Sequence, residues 1–161
     1  MSKIMAAALK ILSNRAISEA ELQEQLLKDF ANLTTVDQEV KATIAHLKDL
    51  HLLNDERIAG SLIWRYAHKG NRYIKAILAQ KGIKEELITA MMSTLEAEEQ
   101  RAFIEAKKKL RNLPLDQQEE TKLYRFLTGR GFAGQSIKEA LRLLKEANKQ
   151  NYQSNIPCKN H

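Results

Sequence analysis

The fold is indicated by a stretch that occurs twice in the chain, IKAILAQKGI at residues 74–83 and LYRFLTGRGF at residues 123–132. Both copies place apolar residues on one face of a helix, followed by a basic residue, a glycine and another apolar residue. This spacing predicts an amphipathic helix whose negative end carries the basic residue. Gly82 and Gly131 then take the left-handed position after the helix, and the next apolar residue packs back against it.

Each copy is preceded by a leading helix and followed by a further helix, which gives units of three helices. A weaker copy lies 52 positions upstream, where Leu22 and Leu26 match Ile74 and Leu78, and Phe30 replaces the glycine. The chain is therefore predicted to be all-α, with three tandem three-helix repeats forming an elongated, curved helical array. The predicted boundaries are residues 1–52, 53–95 and 96–147 for the three repeats, with a flexible C-terminal tail at residues 148–161.

The other helices are placed by apolar periodicity. Leading helices are predicted at residues 4–13, 56–69 and 97–112, and the helices after the repeated stretch at residues 84–95 and 135–147. The residues predicted to face inward on the leading helices are Leu9 and Leu12; Ile58, Leu62 and Trp64 or Tyr66; and Phe103, Ala106 and Leu110.

Polar residues before the apolar runs predict where helices begin. Ser18 and Thr35 are each followed three residues later by Glu or Gln, which is the pattern of a capping box. Asn54 and Asp116 are predicted N-caps. Gly70 is predicted to end the leading helix of the second repeat.

The positive charge lies in the last two thirds of the chain. The formal net charge is +6, yet residues 1–52 carry 6 Lys/Arg against 7 Asp/Glu. Two windows, residues 57–84 and 121–138, contain basic residues and no acidic one. Such windows attract polyanions or an acidic protein surface, although a solvated basic helix face is the alternative.

The sequence carries no catalytic constellation and no metal-binding pattern. His46, His51, His68 and His161 fit no ligand spacing, and Cys158 is the single cysteine. We therefore predict no enzymatic activity, no cofactor and no metal. There is no run of 18 apolar residues and no signal-peptide core, which predicts a cytoplasmic protein without membrane contact.

Aromatic and basic residues are mixed around the repeated stretch, a combination that can bind phosphates and stack on bases. Trp64 and Phe126 are nevertheless expected in the core. The residues predicted to contact a partner are Arg65, Lys69, Arg72, Lys75, Lys81, Lys122, Arg125, Arg130 and Lys138.

Three segments, in order along the chain, give it a wider resemblance. They comprise residues 8–15 with Ser18, Glu21, Leu22 and Leu26; residues 52–59 with Lys69, Gly70, Leu78 and residues 81–83; and residues 126–132. With these segments the chain resembles the RecX family, the regulators of the RecA recombinase, over residues 4–145. Phe30 departs from the family's usual pattern in the first repeat.

The resemblance implies a cytoplasmic bacterial protein, three tandem three-helix repeats and no enzymatic activity. It also implies that the protein binds the RecA filament on single-stranded DNA, lies in its groove, and blocks growth of the filament or promotes its disassembly. A monomer is expected. Two alternatives stay open from the residues themselves: a stand-alone, helix-turn-helix-like nucleic-acid-binding protein, and a helical adaptor whose Lys69, Arg72 and Lys81 bind an acidic protein.

Overall fold

The computed structural model describes residues 2–110 and 115–154, and nine α-helices form the regular structure of that part of the chain. Within these residues no strand occurs, so the predicted all-α fold of three-helix repeats is confirmed. No helix among them is long and apolar enough to cross a membrane. The helices are α1 (Lys3–Asn14), α2 (Glu19–Asp29), α3 (Val36–Asp49), α4 (Asp55–Arg65), α5 (Asn71–Gln80), α6 (Glu85–Met92), α7 (Glu98–Lys109), α8 (Gln117–Gly129) and α9 (Gly134–Ser154).

The chain divides into two compact units. Unit 1 comprises Met1–Trp64 and Ala76–Ser93, and unit 2 comprises Arg65–Lys75 and Thr94–His161. One apolar core lies among α1, α2 and α3 of unit 1, and another lies among α7, α8 and α9 of unit 2. The repeat boundaries at residues 52, 95 and 147 stay a prediction.

The repeated stretch forms the helix end that its sequence predicts. Gly82 has φ 77° and Gly131 has φ 89°, a conformation that costs a side-chain-bearing residue free energy. The Ile83 N–H donates to the Leu78 carbonyl at 3.2 Å, and the equivalent bond after Gly131 is also 3.2 Å. Ile83 and its counterpart are buried. Both helices therefore end in the same left-handed turn.

The four predicted N-cap residues all stand at the starts of helices, and three of them accept a backbone N–H with the side chain. Ser18 forms a complete capping box with Glu21. Asn54 accepts the Arg57 N–H at 3.2 Å, and Asp116 caps α8 in the same way. Thr35 is the N-cap residue of α3, but its predicted capping box does not form, because the Thr35 hydroxyl donates to the Glu39 carboxylate at 2.9 Å instead of accepting a backbone N–H.

The leading helices show most of the differences from the prediction. In α4 the buried residues are Ala59 and Ile63, so Trp64, one position further round the helix, is 85% exposed. The assignment of Trp64 to the core was therefore wrong. In α1 the buried residues are Ile4 and Ala8, whereas Leu9 and Leu12 are only partly buried. In α7, Ala106 is buried as predicted, while Phe103 and Leu110 are half-buried beside it.

Helix α4 is shorter than predicted and α9 is longer. α4 ends at Arg65, and the Lys69 N–H closes a turn onto the Tyr66 carbonyl at 2.9 Å. Gly70 therefore precedes α5 rather than closing α4. α9 continues to Ser154, seven residues into the predicted tail, because adding residues to a formed helix costs less free energy than nucleating a new one. The rest of that predicted tail, residues 155–161 with Cys158 and His161, lies outside the described residues.

Candidate nucleic-acid interface

The two compact units differ in net charge. Unit 2 contains 17 Lys/Arg and 9 Asp/Glu, a formal net charge of +8, whereas unit 1 contains 9 and 11, a net charge of −2. Of the predicted contact residues, Lys81 lies in unit 1 and the other eight lie in unit 2. The candidate interface is therefore a feature of unit 2.

A buried arginine holds the chain segment that enters α5. The Arg101 guanidinium, 5% exposed, donates to the carbonyls of Ala67 at 3.2 Å and Lys69 at 2.6 Å, and to the side-chain oxygen of Asn71. Its Nε donates to the Glu96 carbonyl at 3.0 Å. Burial lowers the pKa of Arg101, and the negative charges of Glu98 and Glu96 oppose this shift. Arg101 thus donates hydrogen bonds to backbone carbonyls that have no N–H partner within a helix.

Glu98, one turn before Arg101, joins the starts of two helices. Its Oε2 accepts the N–H of Asn71 at 2.8 Å, and its Oε1 accepts the N–H of Ala133 at 2.8 Å. A carboxylate is favourable there because helix N-termini expose unpaired N–H groups and positive partial charge. Glu98 therefore fixes the beginning of α5 against the beginning of α9.

Gly70 completes this arrangement by close backbone contact. Its N–H donates to the Arg130 carbonyl at 2.8 Å. A Cβ at Gly70 would lie 2.1 Å from the Gly131 carbonyl carbon, so no side chain fits at this position. The segments that carry Lys69 and Arg130 are consequently locked together.

Several cations project from this framework into solvent. Arg72 and Lys75 are exposed and line a groove whose other lining residues include Phe132, Ser136 and the acidic Glu98 and Glu99. Lys69 is half-buried, and its Nζ lies 4.9 Å from the ring centre of Tyr73. Arg65 is exposed as well. The start of α5 thus presents basic side chains on a fixed backbone.

A second groove runs between α8 and α9, and its lining has four basic residues and one acidic residue, Glu120. Exposed Arg125 and Lys138 line it together with Tyr124. In the described part of the chain neither cation forms an ion pair, so both remain available to an anion. Arg142 and Lys145 also line this groove, but carboxylates lie 2.6 Å and 2.9 Å from their nitrogens.

The remaining predicted contact residues have partners within their own unit. Arg130 packs over the ring of Phe126 at 4.7 Å, and that ring is partly buried against the core. Lys122 lies 3.7 Å from a Glu119 oxygen, and Lys81 lies 3.4 Å from a Glu21 oxygen.

Glu98 and Arg101 were missed by the sequence reasoning. Both lie on the same face of α7 as Ala102 and Ala106, so the helical period marks them as inward-facing. Neither residue was singled out from the sequence, because charged residues are rarely buried. Across the described ranges, no group of three or more His, Cys, Asp or Glu side chains could hold a metal ion.

Comparison with known proteins adds relatives of similar length. Residues 96–141 match the family model described as RecX, third three-helix domain. A regulatory protein RecX from Herbaspirillum seropedicae is 34% identical over 139 residues, which cover 85% of this chain and 88% of the relative. One from Chlorobaculum tepidum is 31% identical over 141 residues, with 85% of each chain covered.

Solved structures agree with the fold. The crystal structure of RecX from Lactobacillus salivarius superposes with a TM-score of 0.74 over 88% of this chain and 94% of that chain, at 23% identity. A second RecX crystal structure gives a TM-score of 0.63 at 25% identity, over 84% of this chain and 68% of that chain. At such identities the structural likeness supports the fold alone.

Proposed function

The chain belongs to the RecX family, and on that premise we propose that it binds the RecA–single-stranded DNA filament and mainly inhibits RecA. Its processes are then recombination, DNA repair and the SOS response. It acts as a cytoplasmic monomer that lies in the filament groove and either blocks filament growth or promotes disassembly. It does so by binding, without enzymatic activity of its own.

The segregation of charge carries this proposal. A filament that contains single-stranded DNA is a polyanion, and a unit with a net charge of +8 is drawn to it. Unit 1, with a net charge of −2, is not drawn to the filament by this electrostatic attraction. The proposal therefore assigns filament binding to unit 2.

Two pairs of exposed cations are the strongest contact candidates within unit 2. Arg72 and Lys75 lie at the start of α5, which Glu98 and Arg101 hold in place. Arg125 and Lys138 line the groove between α8 and α9. Phosphate contacts depend on position, so cations on a fixed backbone bind better than the same cations on a mobile loop.

The test is the RecA ATPase on single-stranded DNA with this protein titrated in. Wild-type protein is expected to inhibit at or below stoichiometric amounts. Charge reversal by Arg72→Glu with Lys75→Glu should raise the half-inhibitory concentration about tenfold or more, since two favourable contacts become repulsive. An ATPase rate unchanged above stoichiometry would contradict the proposal.

The matched control reverses two exposed lysines of unit 1. Lys28→Glu with Lys41→Glu changes the net charge by the same amount at positions without an ion-pair partner in the described ranges. Inhibition should then stay close to wild type. Equal losses in the two double variants would mean that overall charge, and not the unit 2 surface, controls binding.

The groove between α8 and α9 also suits the alternative of a stand-alone nucleic-acid-binding protein. That alternative predicts tight, sequence-dependent binding of a duplex in the absence of RecA, with a salt slope that reflects several phosphate contacts. Fluorescence anisotropy on labelled duplexes decides between them. Weak binding without sequence preference favours the filament.

A further inference from the structure

Unit 1 has a groove that the proposed function does not use. It is formed by the end of α1 and the turn after it, the segment between α3 and α4, and one face of α4. Its apolar lining includes Leu12, Ile17 and Ile58, and its cations are Arg15 and Arg57. No acidic residue is among the groove's lining residues, although unit 1 as a whole carries a net negative charge.

Exposed large apolar residues occur in this groove and close to its lining residues along the chain. Leu52 lines it and is 51% exposed, and Leu50, two residues earlier in the chain, is also 51% exposed. Trp64 follows one turn after Ser61 on α4 and is 85% exposed. Exposed apolar side chains gathered at a groove, rather than scattered singly, are typical of a binding surface.

The two arginines are available to a ligand. Both are exposed, and neither guanidinium forms an ion pair with any residue in the described ranges. His51, which also lines the groove, has φ 58° at the position that Gly82 and Gly131 occupy after their helices. A side chain is thus kept here at a conformational cost that glycine would avoid, as is common at binding sites.

We propose that this groove binds a short acidic segment of a partner protein, one that carries apolar side chains between its carboxylates. Leu12, Ile58 and Leu52 would cover the apolar side chains, and Arg15 and Arg57 would pair with the carboxylates at the rim. This is the pattern by which grooves take amphipathic segments, with apolar anchors inside and charges outside.

Charge complementarity favours this occupant over nucleic acid. A sugar–phosphate backbone gains little from an apolar lining, and two arginines in a unit of net charge −2 attract an extended polyanion weakly. A short acidic segment uses both features of the groove at once. This inference goes beyond the proposed filament contact, which lies on unit 2.

The test uses the full chain and a fluorescein-labelled peptide of about 12 residues that alternates pairs of glutamates and leucines. We expect saturable binding by anisotropy, weakened by salt. Peptides with lysine for glutamate, or with serine for leucine, should not bind. Because Trp64 is the only tryptophan in the sequence, its emission should shift to shorter wavelength as the peptide covers it.

Variants then locate the binding site. Arg15→Glu with Arg57→Glu should weaken peptide binding about tenfold or more, while Arg72→Glu with Lys75→Glu on unit 2 leaves it unchanged. Leu52→Ser should also weaken binding, and Leu33→Ser, at another exposed leucine of unit 1, should not. Circular dichroism of each variant confirms that the helices remain.

Three outcomes would overturn the proposal. One is the absence of saturable peptide binding up to millimolar concentration. Another is an unlabelled single-stranded oligonucleotide that displaces the peptide and binds as tightly as the peptide does. That result would make the groove a nucleic-acid site. The third is concentration-dependent dimerisation in sedimentation that the Arg15 and Arg57 reversals abolish, which would make the occupant a second copy of this chain.

Discussion

Each compact unit contains one contact in which the start of a helix meets the left-handed turn of the next repeat. In unit 1 this contact, here joint 1, brings the start of α2 to the turn after α5. The Ser18 hydroxyl donates to the Lys81 carbonyl, and the Glu19 N–H donates to an Asp55 oxygen at 2.8 Å. Asp55 is half-buried. The side chains that hold joint 1 together thus supply one hydroxyl, from Ser18, and one carboxylate, from Asp55.

In unit 2, joint 2 brings the start of α5 to the turn after α8. The Gly70 N–H donates to the Arg130 carbonyl, and the Asn71 N–H donates to a Glu98 oxygen, both at 2.8 Å. Gly70 stands 52 positions after Ser18, and Arg130 stands 49 after Lys81. The two joints therefore use corresponding positions with different chemical groups.

The main difference is the buried charge of joint 2. Arg101 follows Glu98 by three residues, and the residue three after Asp55 in joint 1 is Ile58, which is apolar. Burying a guanidinium is costly unless its donors are all used, and breaking such an arrangement costs more than forming it gains. The free-energy cost of burying Arg101 arises in joint 2, beside the chain segment that presents Lys69 and Arg72 to solvent. In joint 2 the buried charges therefore fix the geometry of the candidate interface, and joint 1 has no such role.

The largest expected effect tests the buried charge directly. Arg101→Met should lower the free energy of unfolding by about 3–5 kcal/mol, because three backbone carbonyls and the Asn71 side-chain oxygen lose a charged hydrogen-bond donor. Urea unfolding measures the loss, and amide hydrogen exchange should rise first in residues 67–71. Arg142→Met is the control, since its carboxylate partners are exposed and the pair contributes about 0–1 kcal/mol. Equal effects of the two variants would contradict the role given to Arg101.

Substitution of the two carboxylates that accept N–H groups at helix starts, Glu98 and Asp55, should give a smaller difference in the free energy of unfolding. Glu98→Gln leaves one oxygen for two N–H groups and should cost about 2–3 kcal/mol. Asp55→Asn keeps one acceptor for its one N–H and should cost about 0.5–1 kcal/mol. Unfolding midpoints of the two variants check the order. Inhibition of the RecA ATPase should weaken in Glu98→Gln and not in Asp55→Asn, because only the former loosens the start of α5.

The sequence predicted the local features of both joints but not their partners. Ser18, Gly82 and Gly131 could be placed because capping and left-handed turns depend on residues close in the chain. The roles of Glu98 and Arg101 depend on residues about 30 positions away, which a helical period alone does not identify. The prediction for Trp64 was wrong for a related reason. The apolar pattern of α4 fits two orientations of the helix about its axis, and the structure has the one that buries Ile63. The basic bias of the last two thirds of the chain was predictable from the sequence, but the fold was needed to show that Lys81 belongs to unit 1 and the other eight predicted contact residues to unit 2.

A smaller effect than that of Glu98→Gln is expected for Ser18 in joint 1. Ser18 is fully buried; its hydroxyl caps the Glu21 N–H at 3.1 Å and donates to the Lys81 carbonyl. Ser18→Ala removes both interactions without adding volume and should cost about 1–2 kcal/mol, against a few tenths for the exposed Ser13→Ala. If joint 1 only stabilises the fold, this variant unfolds at lower urea yet inhibits the RecA ATPase as wild type does at temperatures where it is folded. A loss of inhibition as large as that of Glu98→Gln would instead show that the two joints share one task, and would remove the distinction between them.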